Sequence, residues 1–283
     1  MLPEAGLALA GSVLLHVIWN LMVRTQPQEA CALWWILLAH ILLLGPLGVS
    51  ALLSEVAWTS AFVALLATSA TANMVYFLGL RRAYEHAPVA LVYPVVRSSP
   101  LFIAVWSSLF LGEAFGVLTW TGIVTSVLGL LVMATSARNC RDSAALPWML
   151  LAMFATSIYS LSDKAATASI TSFAGLLGFI TFGYTAAWVG ISLDLYRKTG
   201  RVIPRQCISP VTLLFGGLSV GTAYVLVIHA MRFMPSAEAV AYTNAGIVLA
   251  SLVSIFILRE RQHWVLRLLG AMVICLGLLV MRW

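Results

Sequence analysis

The chain has 283 residues, 61% of them hydrophobic and only 9% charged, with a mean hydropathy of +0.99. Soluble domains carry roughly 25% charged residues, so this material builds no water-soluble surface, and the two soluble domains that length alone would suggest are excluded. The net charge of +6 comes from scattered Lys and Arg with no aromatic-interleaved basic patch, which argues against a nucleic-acid partner.

A helix crosses about 30 Å of hydrocarbon with roughly 20 residues. Ten segments of that kind follow in chain order: 5–23, 30–53, 58–82, 87–111, 116–137, 146–168, 172–195, 208–231, 236–258 and 264–282. Their apolar runs are continuous, without period-two alternation, so helices are expected rather than a barrel. The first lacks a basic leading region and reads as a true span, not a cleaved signal. The breaks between segments are short and polar, as in 24–29, 139–142 and 197–206, and leave no room for a soluble domain.

Polar residues within such segments are costly and suggest function. The first segment holds His16, Trp19 and Asn20 on one face. The third offers Asn73 and Tyr76. The fourth carries Arg97 in Tyr93-Pro94-Val-Val-Arg97-Ser98-Ser99-Pro100, with a proline on either side and Tyr93 one turn away. Each proline removes a backbone donor, and such breaks are tolerated where a helix lines a cavity. Arg97 is read as a guanidinium for a carboxylate or another anion; a structural ion pair between helices is the alternative. The sixth segment holds Tyr159, Ser160, Asp163 and Lys164. Asp163 could pair with Lys164 or Arg97, or hold a proton or an ammonium group. The eighth offers Tyr224 and His229, the latter read as a structural group. The ninth begins Pro235-Ser-Ala-Glu238, with Glu238 favouring the positive helix end, and continues to Tyr242 and Asn244.

The four cysteines, Cys31, Cys140, Cys207 and Cys275, lie far apart without CxxC spacing and read as incidental thiols. No phosphate loop, HExxH, GxSxG or acidic metal cluster occurs. The expectation is therefore no cofactor, no metal and no catalytic residues.

The chain also says one thing twice. Residues 83–133 and 230–281 align, with Pro88 on Pro235, Ala90 on Ala237, Arg97 on Asn244 and Glu113 on Glu260. After a one-residue slip, Gly122 falls on Gly270 and Gly129 on Gly277. A repeat of this length constrains the fold. Five spans per copy is odd, so the second copy enters the bilayer upside down, an arrangement common in secondary transporters. The expected fold is an all-α integral membrane protein with ten transmembrane helices, as two inverted five-helix repeats (1–141 and 142–283) around a central cavity. The hairpins after odd segments hold twelve basic residues: Arg24, Arg81, Arg82, Arg138, Arg141, Arg197, Lys198, Arg201, Arg205, Arg259, Arg261 and Arg267. Basic residues accumulate in cytoplasmic loops, which puts both termini outside.

The HxxWN of His16–Asn20, the stretch AYEHAPVALVYPVVRSSP at 83–100, Leu-Gly112-Glu113, Gly122 and Gly129 resemble the drug/metabolite transporter superfamily, and within it the EamA family of ten-span permeases. The second copy keeps Pro235, Arg259-Glu260, Gly270 and Gly277. The resemblance implies a cavity lined by spans 1, 3, 4, 6, 8 and 9, with spans 5 and 10 peripheral. It also implies a carrier of amino acids, related metabolites or drugs. Two features depart from the family. Ile247 stands where a proline is expected opposite Pro100, so the second half should kink less there, and the basic bias contradicts the cytoplasmic termini of better-known exporters. The resulting expectation is a secondary transporter, most simply an amino-acid exporter of the cell inner membrane. A permease for organic anions of phosphonate or phosphate type, or for drugs, including uptake, remains the alternative. The expected partners are the lipid bilayer and a small-molecule substrate, with the chain acting as a monomer. The expected binding residues are His16, Trp19, Asn20, Asn73, Tyr76, Tyr93, Arg97, Tyr159, Asp163, Tyr224, Tyr242 and Asn244.

Overall fold

In hydrocarbon a helix satisfies its backbone polar groups within itself, and the apolar runs fold accordingly. The computed structural model describes residues 3–27, 30–137, 142–259 and 262–282, with no strand among them. Arg138, Cys140, Arg141, Glu260 and Arg261 lie outside the described residues.

The first segment is α1 (Pro3–Arg24). The second forms two helices, α2 (Ala32–Leu43) and α3 (Gly45–Glu55), bent by 54°. Gly45-Pro46 marks the bend, because a proline cannot continue a helix yet fits the first turn of the next. Then comes α4 (Ser60–His86), capped by Thr59, whose hydroxyl accepts from the Phe62 amide. The fourth segment is interrupted at 97–99, between α5 (Val89–Val96) and α6 (Pro100–Phe110). Next follow α7 (Val117–Thr135), α8 (Leu146–Ala166), α9 (Phe173–Thr199) and α10 (Pro210–Ala230). The ninth segment comprises α11 (Ser236–Tyr242), α12 (Ala245–Leu252) and a π turn (Val253–Ile257), and the last is α13 (Trp264–Val280).

Among the described residues eight helices are long and apolar enough to cross a membrane, and the bent α2–α3 pair makes a ninth if it is one span. α13 is apolar but has 17 residues, the lower edge of the range for a span of roughly 17–25. The chain is a multi-pass integral membrane protein.

Pro88 and Pro235 each stand immediately before a helix, α5 and α11 respectively. The ninth segment lacks a counterpart of Pro100, yet it too is interrupted, at Thr243–Asn244. The Thr243 hydroxyl donates to the Val240 carbonyl at 2.5 Å, and such back-bonding competes with the helix ladder. Pro94 and Pro100 thus have a different physical substitute in the second half.

α4 packs on α8 and α9, α1 on α10, α10 on α2, α3 on α9 and α7 on α13. The α7–α13 crossing is the tightest to specify. A Cβ added to Gly122 would lie 2.6 Å from the Gly277 carbonyl oxygen, and one on Gly129 would lie 2.7 Å from that of Gly270. Small residues let the backbones touch. Because Gly122 meets Gly277 while Gly129 meets Gly270, the two helices run antiparallel.

Each end of the bundle is tied by charge. Where α4 and α9 finish, Arg81 and Arg82 both reach Asp194, at 2.7 and 2.5 Å, and Lys198 meets Glu85 at 2.6 Å. At the opposite end Arg232 donates to the carbonyls of Ile170 (2.7 Å) and Thr171 (3.0 Å). There Lys164 donates to the carbonyls of Met231 and Met234 and lies 3.9 Å from Glu113. His229 is engaged at the same end, with Nε2 3.0 Å from Glu4.

Candidate solute-binding site

The two helix interruptions face each other across the middle of the bundle. Arg97 follows α5, and its Nη2 donates to the hydroxyl of Thr243 at 2.9 Å, with the Thr243 carbonyl oxygen at 3.4 Å. Thr243 closes α11, so the guanidinium sits at a helix C-terminus, where a cation is favoured. Its carbon lies 5.6 Å from the Tyr93 ring centroid, within reach of a cation–π contact. Nε is buried without a hydrogen-bond partner, and among the described residues no carboxylate lies within 4.0 Å of the guanidinium. The structural ion pair considered for Arg97 is therefore not formed there.

Beside Arg97 lies a cavity with about 610 Å³ of space free of atoms, its mouth included. Of the residues expected from sequence, it brings together His16, Trp19, Asn73, Tyr76, Tyr93, Arg97, Tyr159 and Tyr224. Asn20 lines a smaller adjoining pocket that shares His16, Tyr93 and Arg97, and it donates to the His16 carbonyl at 2.7 Å and to the Tyr93 hydroxyl at 3.3 Å. That pocket extends towards the end of α1, where Arg24 lies 3.5 Å from Ser254. His16 is fixed by Nδ1, 2.9 Å from the Ser12 carbonyl; a carbonyl only accepts, so Nδ1 carries the hydrogen.

One wall of the cavity is aromatic. Tyr76 stands edge-on to Tyr159 (5.6 Å between centroids), and Tyr159 edge-on to Tyr224 (5.4 Å). Edge-to-face pairs of this kind are favourable beyond the area they bury.

Three expected residues lie elsewhere. Asp163 stands behind the wall, 1% exposed, accepting from Ser69 Oγ at 2.5 Å and from the Tyr224 hydroxyl at 2.6 Å. It pairs with neither Lys164 nor Arg97, because Lys164 turns to the Met231 and Met234 carbonyls and Arg97 to Thr243. Tyr242 packs with the apolar cluster of Phe115 and Trp120. Asn244 is fully buried, with both amide atoms unpartnered, and does not line the cavity. The turn that ends α11 brings its neighbour Thr243 inward instead.

Sequence reasoning passed over Thr243, Tyr184, Phe77 and Thr156, all at the cavity wall. Tyr184 was visible by the rule that found the other tyrosines, a hydroxyl inside an apolar run; its hydroxyl donates to the Val220 carbonyl at 3.2 Å. Thr243 had a weaker signal, its place beside the repeat partner of Arg97. No group of three or more metal-ligating His, Cys, Asp or Glu residues occurs among the described residues.

Apolar helices enclosing a cavity, with helix interruptions at its wall, define a polytopic membrane protein with an internal site. Residues 5–135 match the EamA-like transporter family. An uncharacterized transporter of Bacillus subtilis (strain 168), YwfM, is 29% identical over 145 residues, 50% of this chain and 46% of the relative. The match thus spans about half the length of that curated relative. A solved crystal structure superposes with a TM-score of 0.72 at 17% identity, covering 98% of this chain and 95% of its own, and shares the fold.

Proposed function

We propose that the protein is a secondary transporter that carries a small carboxylate-bearing metabolite, most simply an amino acid leaving the cell, across the inner membrane. One observation carries this reading. Arg97 holds a guanidinium at a cavity wall, steadied by a neutral hydroxyl and a ring, with Nε unpartnered. A cation inside a membrane calls for compensation, and a solute carboxylate supplies it with a planar, bidentate fit. The aromatic wall opposite gives the solute an apolar contact. One guanidinium suits a singly charged carboxylate better than a phosphate or phosphonate, whose greater charge is commonly met by several cationic donors. The organic-anion reading is thus second.

The architecture proposed is ten spans in two inverted repeats, 1–141 and 142–283. The repeat equates Gly122 with Gly270 and Gly129 with Gly277, so exchanging the copies converts the Gly122–Gly277 contact into the Gly270–Gly129 contact. The same exchange turns the α4–α8 packing into α10–α1, and α4–α9 into α10–α2, and all of these occur. An antiparallel α7–α13 crossing supports inversion of the second copy. The basic hairpins support a cytoplasmic side at Arg81, Arg197 and Arg201, with both termini outside.

The test is solute counterflow in proteoliposomes. Full-length protein is reconstituted with a mixture of unlabelled L-amino acids inside and radiolabelled ones outside. Transient accumulation of label, absent from Arg97→Gln vesicles, is expected. Exchange of inorganic phosphate or aminoethylphosphonate but of no amino acid moves the assignment to organic anions. No exchange of either class overturns the transporter reading.

A further inference from the structure

One hydroxyl separates Asp163 from the cavity. The Tyr224 phenol lines the cavity and also donates to Asp163 Oδ2 at 2.6 Å, while Ser69 Oγ donates to Oδ1 at 2.5 Å. The groups that face this carboxylate are uncharged in their ordinary states: Ser69 from α4, Tyr224 from α10, Tyr184 from α9 and Tyr159 on α8 itself, while Asn73 on α4 donates to the Ser69 carbonyl. The charged groups nearby are engaged elsewhere. Lys164 faces the Met231 and Met234 carbonyls and Glu113, Glu238 at the start of α11 faces Thr119, and Arg97 faces Thr243. Among the described residues no Lys, Arg or His nitrogen lies within 4.0 Å of Asp163. A negative charge at this depth without a cation is costly, and intramembrane carboxylates in such settings mark proton paths.

We propose that Asp163 is a proton-binding site and that Tyr224 couples its occupancy to that of the cavity. The proposal rests on the transporter reading above. The step is a proton transfer: an O–H bond of hydronium in the cavity breaks, leaving water, and an O–H bond forms on Asp163 Oδ2. Protonated Oδ2 then donates to the Tyr224 oxygen, and the phenol hydrogen is released to turn into the cavity. With Asp163 ionised, the same hydrogen is held on the carboxylate, and the cavity meets only a phenol lone pair. One proton thereby converts a cavity acceptor into a donor, while Ser69 keeps its bond to Oδ1 in both states. The solute then binds with different affinity in the two states, which is the requirement for coupling a proton gradient to transport.

The test uses full-length protein in proteoliposomes with a mixture of radiolabelled L-amino acids, in two modes: counterflow at equal pH, and accumulation under an imposed pH difference. Wild type is expected to do both. Asp163→Asn is expected to keep counterflow and lose the pH-driven accumulation, and Tyr224→Phe to shift the pH dependence of exchange. If Asp163→Asn follows the pH difference as wild type does, or if wild type exchanges solute but answers only a sodium gradient, the proposal is overturned. A solute-free readout decides the matter should no amino acid be exchanged or the Asn variant not fold. Infrared spectra of the purified wild type, titrated with acid, should show the carbonyl stretch of a buried protonated carboxyl group, displaced in Tyr224→Phe. A spectrum in which no such band titrates, or one in which Tyr224→Phe leaves it in place, removes the proton from Asp163.

Discussion

Arg97 and Thr243 meet across two interrupted helices, the guanidinium Nη2 donating to the threonine hydroxyl at 2.9 Å. Sequence position separates them by 146 residues, and each ends a helix, α5 and α11. The bond ties the two helix breaks together at the cavity wall.

Arg97→Gln should keep the fold and weaken amino-acid binding about ten- to a hundredfold, the equivalent of roughly 1.5–3 kcal/mol for a charged hydrogen-bonding partner. Arg97→Lys should recover only part, since an ammonium lacks the planar fork. Thr243→Val removes a neutral partner and should cost about 1 kcal/mol, near fivefold. Binding measured by thermal shift alongside melting temperature checks all three. A Gln variant with wild-type affinity removes Arg97 from the site.

Gly122→Leu should destabilise the protein by about 1–3 kcal/mol through overpacking, because even a Cβ would meet the Gly277 carbonyl oxygen at 2.6 Å. Gly116→Ala is the control, with nothing within 4 Å of the added carbon. Melting temperatures in detergent should fall for the first and stay level for the second.

Orientation is testable by labelling intact cells carrying a cysteine-free version of the chain. A cysteine introduced at Ser54 should react with a membrane-impermeant thiol reagent, and one at Arg201 should not. Reversed labelling would place both termini in the cytoplasm.

Lys164 holds the Met231 and Met234 carbonyls and so ties the end of α8 to the connection between α10 and α11. Lys164→Met should loosen that tie. A cysteine at Ser236, which is fully buried, should become reactive in the Lys164→Met background and stay protected without it.

How much of this was legible in the sequence differs from residue to residue. The interruption of the fourth segment followed from Pro94 and Pro100, because a missing donor acts locally. The bend of the second was equally readable at Gly45-Pro46 but was passed over. The interruption at Thr243 was not readable, since no proline marks it, and a threonine hydroxyl bonds back to its own helix only in a suitable local conformation.

By itself the sequence determined that the chain is a bundle of apolar helices with the polar groups His16, Asn73, Arg97 and Asp163 inside it. In lipid each helix must satisfy its own backbone, and composition alone enforces this. Only the tertiary structure decided which polar groups share a wall. It placed Thr243 and Tyr184 on the cavity, set Asp163 behind Tyr224, and turned Tyr242 and Asn244 away. The reason is physical: lipid-facing and core-facing sides of a membrane helix are both apolar. Periodicity therefore does not say which face looks inward, and neighbouring helices settle it by packing.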